Sequence, residues 1–109
     1  MLLREYDGNI EKCWYDSTNV IYSECYDNKD ALKDVKVVFK DGRGYMYKGV
    51  AVNNYLLFRS DFSQGKALYK YIALKVKGVD KHVTLKVENS DVSKIESEKK
   101  LLLESAKND

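Results

Sequence analysis

The tetrapeptide Ser63-Gln64-Gly65-Lys66 lies between two segments whose residue spacing predicts helices, and its residue types are those of a phosphate-binding loop. A helix that begins after a small residue presents free backbone N–H groups, and these groups bind anions together with a lysine. The alternative interpretation is a helix–helix junction, in which Ser63 caps the second helix and Gly65 allows a turn or close packing. A P-loop also needs an upstream glycine, which this segment lacks, so the sequence leaves both interpretations open.

Neighbouring side chains are suited to binding a nucleotide. Arg59 lies one helical turn before the loop, so it can point to the same phosphate. Tyr45 and Tyr47 lie on the preceding predicted strand, where their rings either offer a base-stacking surface or pack across the sheet. We therefore predict one ligand site for all of these residues. Its predicted members are Tyr45, Tyr47, Arg59, Ser63, Gly65, Lys66 and Tyr69.

Residues for catalysis are sparse, which predicts a non-catalytic protein. His82 is the only histidine, and it lies beside Val83 in a predicted strand, far in sequence from either cysteine. A lone histidine in a strand is more often structural or solvent-facing than a general base. The acidic residues lie mostly in charged runs and turns, and no pair is spaced for acid–base chemistry or for metal binding. We therefore expect no catalytic residue, no metal and no cofactor.

The charge of the chain limits its class of partner. Of 109 residues, 19 are basic and 17 are acidic, which gives a net charge of +2. Proteins that bind long nucleic acids usually show a clear basic excess, because counterion release drives that binding. Here basic and acidic residues alternate along the chain, so any basic patch must be created by the fold. Two or three phosphates, however, can be bound without a high net charge.

Cysteine usage and hydropathy predict a reduced, cytoplasmic chain. Cys13 and Cys25 have neither CxxC nor metal-like spacing. The N-terminus lacks the apolar segment of a signal peptide, and no apolar run approaches the length that crosses a membrane.

The alternation of apolar and polar residues predicts an antiparallel sheet of two hairpins. Residues 19–26 are rich in β-formers, and Asp41-Gly42 between two alternating segments is a strong hairpin signal. A second hairpin is predicted from residues 72–76 and 83–87. Residues 1–16 contain another Asp-Gly pair and can form a small hairpin that tucks Trp14 against the body.

Helical periods predict three helices. The first helix is predicted from the helical spacing of Val52, Tyr55, Leu56 and Arg59. Asn53 or Asn54 is able to cap its start, and it should end near Ser60. A second short helix follows Lys66. The third lies in residues 89–109, where Ser93 and Glu96 predict a capping box. This last helix packs either on its own sheet or against the same helix of a partner.

Together these elements predict an α+β fold, in which an antiparallel sheet of two hairpins has two short helices between them and a C-terminal amphipathic helix. The predicted organisation is an N-terminal extension (residues 1–16), an α+β domain (residues 17–88) and the C-terminal helix (residues 89–109).

Short motifs in residues 17–72 follow one another in a familiar order. They are Ser17, Tyr26-Asp27, Val35 to Phe39, Asp41-Gly42, Tyr45 and Tyr47 with Val50, Tyr55 to Phe58, Ser63-x-Gly65-Lys66, and Ile72. In order and spacing they resemble the KTSC domain, a short module named for its occurrence at the C-terminus of some lysyl-tRNA synthetases and common as a small phage protein. The chain departs from that pattern at Leu68-Tyr69, where Phe-Asn is usual, and residues 73–109 lie outside it.

The resemblance implies a hairpin-plus-helix fold, RNA binding and phage origin, and three functions are compatible with the residues. The first is a sponge that sequesters a nucleotide immune signal such as a cyclic oligonucleotide, which needs aromatic rings and a few cations. The second is an RNA- or DNA-binding module. The third is an inhibitor that binds a host protein through exposed tyrosines. We expect a homo-oligomer, because small domains often build a pocket between copies.

Overall fold

A computed structural model describes residues 3–28, 31–73, 75–76, 79–80 and 83–107. These residues form a six-stranded antiparallel sheet and three α-helices, including a C-terminal one, so the predicted α+β fold is confirmed. In spatial order the strands are β1 (Leu3–Asp7), β2 (Ile10–Trp14), β3 (Val20–Asp27), β4 (Lys33–Phe39), β5 (Gly44–Val50) and β8 (Val83–Val87). Two short strands, β6 (Lys75–Val76) and β7 (Val79–Asp80), pair separately. The helices are α1 (Val52–Ser60), α2 (Gln64–Ala67) and α3 (Val92–Lys107), and a π-helical turn, Leu68–Ile72, continues α2.

The predicted hairpin at Asp41-Gly42 joins β4 to β5. Gly42 has a φ of 93°, which only glycine adopts easily, and its N–H donates to the Phe39 carbonyl at 2.9 Å. A Cβ at Gly42 would lie 3.0 Å from the Ser90 carbonyl oxygen, so the turn also packs closely on the chain that leads into α3. Residues 3–14 form a second such hairpin, and its two strands belong to the main sheet.

In the hairpin predicted from residues 72–76 and 83–87, the second strand pairs with a different strand. β8 pairs with β5, with Leu85 opposite Met46, while Lys75 and Val76 pair with β7. Ile72 ends the π-helical turn and is fully buried, because residues 68–72 continue the helical burial of α2 before the chain becomes extended. The remaining residues assigned to this hairpin, together with His82, lie outside the described part: Leu74, Lys77, Gly78 and Lys81.

One face of the sheet packs under α1, α2 and the π-helical turn. Its strands contribute Cys13, Val35 and Val37, which alternate with residues of the other face, and α1 contributes Tyr55 and Phe58. α1 ends at Ser60, as predicted, but no side chain caps its start at Ala51. The predicted cap residue Asn54 instead donates its side-chain N–H to the Tyr71 carbonyl at 2.9 Å, which ties α1 to the π-helical turn.

The other face is covered by α3, which therefore packs on its own sheet. Ile95 contacts a buried cluster of strand residues, namely Trp14, Ile21, Tyr22 and Val38. The predicted capping box at Ser93 and Glu96 is wrong, because α3 begins at Val92, two residues earlier than that box requires. Asp91 caps it instead, and its carboxylate accepts the Lys94 N–H at 3.2 Å.

Candidate functional site

Four aromatic residues meet on the α1 face of the sheet, and we name them the aromatic surface: Phe39, Tyr45, Tyr47 and Tyr69. The rings of Phe39 and Tyr45 pack edge to face across the hairpin, with centroids 5.8 Å apart. Tyr47 follows on the same side of β5 and is buried; this burial, with the nearby Tyr69 and Tyr45 hydroxyls, raises the pKa of Tyr47 to about 12. Tyr69 projects from the π-helical turn and is 67% exposed. Since Tyr47 belongs to the core, the rings left for a ligand are those of Phe39, Tyr45 and Tyr69.

Exposed cations border the aromatic surface. The Arg43 guanidinium lies 6.0 Å from the centroid of the Phe39 ring, and its Nε pairs with Asp41 at 2.6 Å. Lys66 precedes Tyr69 by three residues, so the two exposed side chains lie on one side of the helical segment. Lys86 on β8 stands opposite Tyr45 in the sheet register. The fold thus creates the local basic character that the alternating sequence does not show.

An open cleft of about 450 Å³ adjoins this surface at Phe39. It is lined by Thr18, Asn19, Phe39, Lys40, Asp41 and Arg43. Small-molecule sites have volumes of roughly 300–1,000 Å³, so this cleft can hold part of a nucleotide-sized ligand. The residues that line this cleft were not predicted as ligand-binding residues. The sequence does contain a signal for Phe39, because the hairpin register places it on the same face as Tyr45.

The Ser63–Lys66 segment is a junction held by Asp61 and Gln64. Asp61 accepts the Ser63 N–H at 3.0 Å, and the buried Gln64 side chain donates to the Asp61 carbonyl at 2.6 Å. The predicted Ser63 side-chain cap is absent. α2 has only four residues, so few peptide dipoles align towards an anion at its start. The helix-terminus phosphate site therefore gains no support from the geometry.

Gly65 is needed for close packing between α2 and the segment before β3. A Cβ at this position would lie 2.9 Å from Asn19 Nδ2 and 3.3 Å from Asn19 Cβ. This contact fixes α2, and with it Lys66, beside the cleft that Asn19 lines. No pattern in the sequence links residues 46 positions apart, so Asn19 could not be found in advance.

We predict that Gly65→Ala is less favourable in the wild-type protein than in an Asn19→Ala background, by about 1 kcal/mol of unfolding free energy. Alanine is the better helix former by about 1 kcal/mol, but this gain is offset wherever the new methyl group must displace Asn19. Urea unfolding of the two single variants and the double variant measures the coupling. Additive effects would show that Asn19 moves aside at no cost.

The Arg59 side chain is engaged with Glu11, which was not among the predicted ligand residues. Its Nη1 pairs with Glu11 on β2 at 2.7 Å, and both side chains are largely buried. The prediction that Arg59 points to the Ser63–Lys66 loop is therefore corrected. The β1–β2 hairpin brings Glu11 to the helix, where its carboxylate pairs with the Arg59 guanidinium.

Glu11 accepts four hydrogen bonds at the bottom of a second cleft. Tyr55 donates at 2.6 Å, Arg59 at 2.7 Å, Tyr6 at 2.9 Å and the Cys13 thiol at 3.4 Å. Burial alone would raise the pKa of Glu11, but these hydrogen bonds outweigh it and lower the pKa to about 2. Glu11 is therefore ionised at neutral pH. The sequence signal that could have revealed Glu11 is its alternation with Cys13 on an apolar face of β2.

The second cleft lies between α1 and the β1–β2 hairpin and has a volume of about 390 Å³; we name it the hairpin cleft. The α1 residues whose helical spacing the sequence shows, from Val52 to Arg59, line it, and Val52 and Leu56 are each 38% exposed. This side of α1 therefore faces a cleft. From the helical period alone, we would expect it to face the core.

Reactive and metal-binding groups are few in the part of the chain that the structure describes. Cys13 and Cys25 are free and buried, and burial raises the pKa of their thiols to about 11 and about 12. Within the described ranges no three His, Cys, Asp or Glu side chains converge as a metal site would require. None of the described helices has the length and apolar character to span a membrane.

Comparisons with protein-family models, curated proteins and solved structures give no match to this chain. The KTSC resemblance therefore stays a prediction, and function is argued from the two clefts and their residues.

Proposed function

We propose that this protein is a non-catalytic binder that captures a small nucleotide on the aromatic surface. In the form we favour it is a phage-encoded sponge, which sequesters a cyclic oligonucleotide immune signal in the host cytoplasm. The observation that carries the proposal is the convergence of three accessible rings with exposed cations beside a cleft. The bases of the nucleotide would stack on these rings, and the cations would pair with its phosphates.

The energies support a ligand of this size. Stacking one base on an aromatic side chain contributes roughly 1–3 kcal/mol, so two rings can hold two bases. Lys66 and Lys86 are exposed around the rings and can neutralise two phosphates, and Arg43 can contact a third in exchange for Asp41. A net charge of +2 suits such a ligand better than a long polyanion, whose binding needs many more phosphate contacts.

A single-stranded RNA is the second candidate, and a specific observation favours it. Phe39 and Tyr45 lie on neighbouring strands, which is how sheet-based RNA-binding modules present rings to unpaired bases. The two candidates differ in their salt dependence. RNA affinity should fall by several hundredfold or more between 50 mM and 200 mM salt, whereas affinity for a ligand with two or three phosphates should fall by only about 5- to 20-fold.

The test is a thermal-shift screen against cyclic oligonucleotides, linear nucleotides and short RNA, followed by calorimetric titration. A ligand at a hundred times its Kd should stabilise the fold by about 2.7 kcal/mol, a shift of roughly 10 °C or more. Tyr69→Ala should weaken binding by about ten- to a hundredfold, because it removes a stacking ring. Light scattering in the same samples reports whether two copies share one ligand, as the expected homo-oligomer would.

Tyr6→Ala is the matched control, since Tyr6 is 60% exposed but lies on β1, in the hairpin cleft. It should leave the nucleotide Kd unchanged. A screen in which neither nucleotides nor RNA shift the melting temperature would reject both candidates and turn the search to a host protein.

A further inference from the structure

Two arginine–tyrosine pairs flank Glu11 in the hairpin cleft. Arg4 lies 5.8 Å from the centroid of the Tyr6 ring, and Arg59 lies 5.8 Å from that of Tyr55. Both tyrosine hydroxyls donate to the Glu11 carboxylate, one to each oxygen. The carboxylate thus fixes both rings, and each ring supports a guanidinium at the cleft.

The charges that line the cleft do not balance. Its cations are Arg4, Lys33 and Arg59, and its anions are Glu11 and Asp27. Arg59 pairs with Glu11 and Lys33 pairs with Asp27, so three cations minus two anions leave one positive charge, that of Arg4. Over the ranges that the structure describes, Arg4 has no carboxylate partner.

Arg59 is the other arginine of the cleft, and its guanidinium is already paired with Glu11. Its Nε has no acceptor within the described residues, but this atom is buried and therefore out of reach of a ligand in the cleft. The charge that remains for a ligand is that of Arg4, which indicates an anionic group.

The walls of the cleft indicate the rest of the ligand. Val52 and Leu56 expose apolar surface on the α1 side, and the Tyr6 ring stands on the hairpin side. An apolar or aromatic body can pack between these walls while its anionic group reaches Arg4. Bare inorganic anions would leave the walls uncovered.

We propose that the hairpin cleft is a second binding site, separate from the aromatic surface, for a small organic anion with an apolar or aromatic body. Arg4 binds the anionic group, which is a phosphate or a carboxylate. Tyr6, Val52 and Leu56 contact the body. Glu11 positions both arginine–tyrosine pairs and does not touch the ligand.

The test uses phenyl phosphate, benzoate and inorganic phosphate as probes in amide chemical-shift titrations of the full chain. Phenyl phosphate and benzoate distinguish the two anionic groups, and inorganic phosphate should bind about tenfold more weakly than phenyl phosphate because it lacks a body to bury. Shifts should centre on Arg4, Tyr6 and Leu56. Arg4→Ala should weaken phenyl phosphate binding by about tenfold.

Lys100→Ala is the control, because Lys100 is also exposed but lies on α3, which covers the other face of the sheet. It should leave phenyl phosphate binding unchanged. Shifts confined to Phe39, Tyr45 and Tyr69, or equal losses in Lys100→Ala and Arg4→Ala, would overturn the proposal. So would the absence of saturable shifts with any probe. Failure of the nucleotide screen, by contrast, leaves these results unaffected.

Discussion

Glu11→Ala should lower the free energy of unfolding by about 3 kcal/mol, because it breaks a largely buried ion pair and leaves the other charge without a partner. The Arg59 side chain is only 15% exposed and pairs with Glu11 at 2.7 Å. The substitution also removes the acceptor for the hydroxyls of Tyr6 and Tyr55. In a chain of this size, the melting temperature should fall by roughly 10–20 °C. Urea unfolding measures the change directly.

Glu24→Ala is the matched control for this prediction. Glu24 also accepts hydrogen bonds from two tyrosines, Tyr22 and Tyr26, and its side chain is similarly exposed, at 16%. Its cation, Lys36, is 3.8 Å away and 26% exposed, so losing Glu24 leaves that charge partly solvated. We expect a cost of about 1 kcal/mol. Equal losses in the two variants would show that the Arg59 pair contributes nothing beyond the tyrosine hydrogen bonds.

The pH dependence of stability gives a second measure of the Glu11 contacts. The pKa of Glu11 in the folded protein, about 2, lies below its ordinary value of 4.5, so folding favours the ionised form. The stabilisation is therefore complete above about pH 4.5 and is lost as the pH falls towards 2. Solvent at the cleft screens part of it, which leaves about 2 kcal/mol. Glu11→Gln should flatten the curve in this window, whereas parallel curves would contradict the assignment.

Ile95→Asp should cost about 3–4 kcal/mol, because it removes apolar burial and places a carboxylate in an apolar cluster. Ile95 is 8% exposed, and its neighbours include Trp14 and Val38. Thermal unfolding of the purified variant measures the loss. The effect tests whether α3 is part of the core or only an appended helix.

Leu101→Asp separates the two interpretations of α3. Leu101 is 66% exposed on the same helix, so a charge there should change stability by no more than about 0.5 kcal/mol. Light scattering before and after the substitution reports the oligomeric state. A fall in molar mass would show that α3 also contacts another copy of the chain through this residue.

Local chemistry explains what the sequence predicts well. Asp41-Gly42 specifies a turn, and alternation on either side specifies its strands, so β4 and β5 follow from neighbouring residues. The end of α1 at Ser60 likewise follows from neighbouring residues, because the helical spacing stops there. β8 illustrates the limit, because its partner depends on which sheet edge is free, and that is a property of the assembled fold.

The structure brings together only some of the residues predicted for the site, for a similar reason. Tyr45 and Tyr69 meet near Tyr47, as a shared site requires, since strand register and helix position bring them together. Arg59 does not join them, because Glu11 lies 48 residues away in sequence and no local pattern announces the ion pair. Burial of Tyr47 likewise depends on what covers β5, which its alternation alone does not specify.

The order of the strands has consequences for how the chain folds. β1 to β5 are neighbours both in sequence and in space, so each pairing closes a short loop and contact order is low in this half. On the ribosome this meander can form while α3 is still being synthesised, since α3 follows all six strands. The apolar cluster of Trp14, Ile21 and Val38 then stays uncovered for that interval. Such a nascent surface is a target for chaperones and a route to aggregation, and both end when α3 docks.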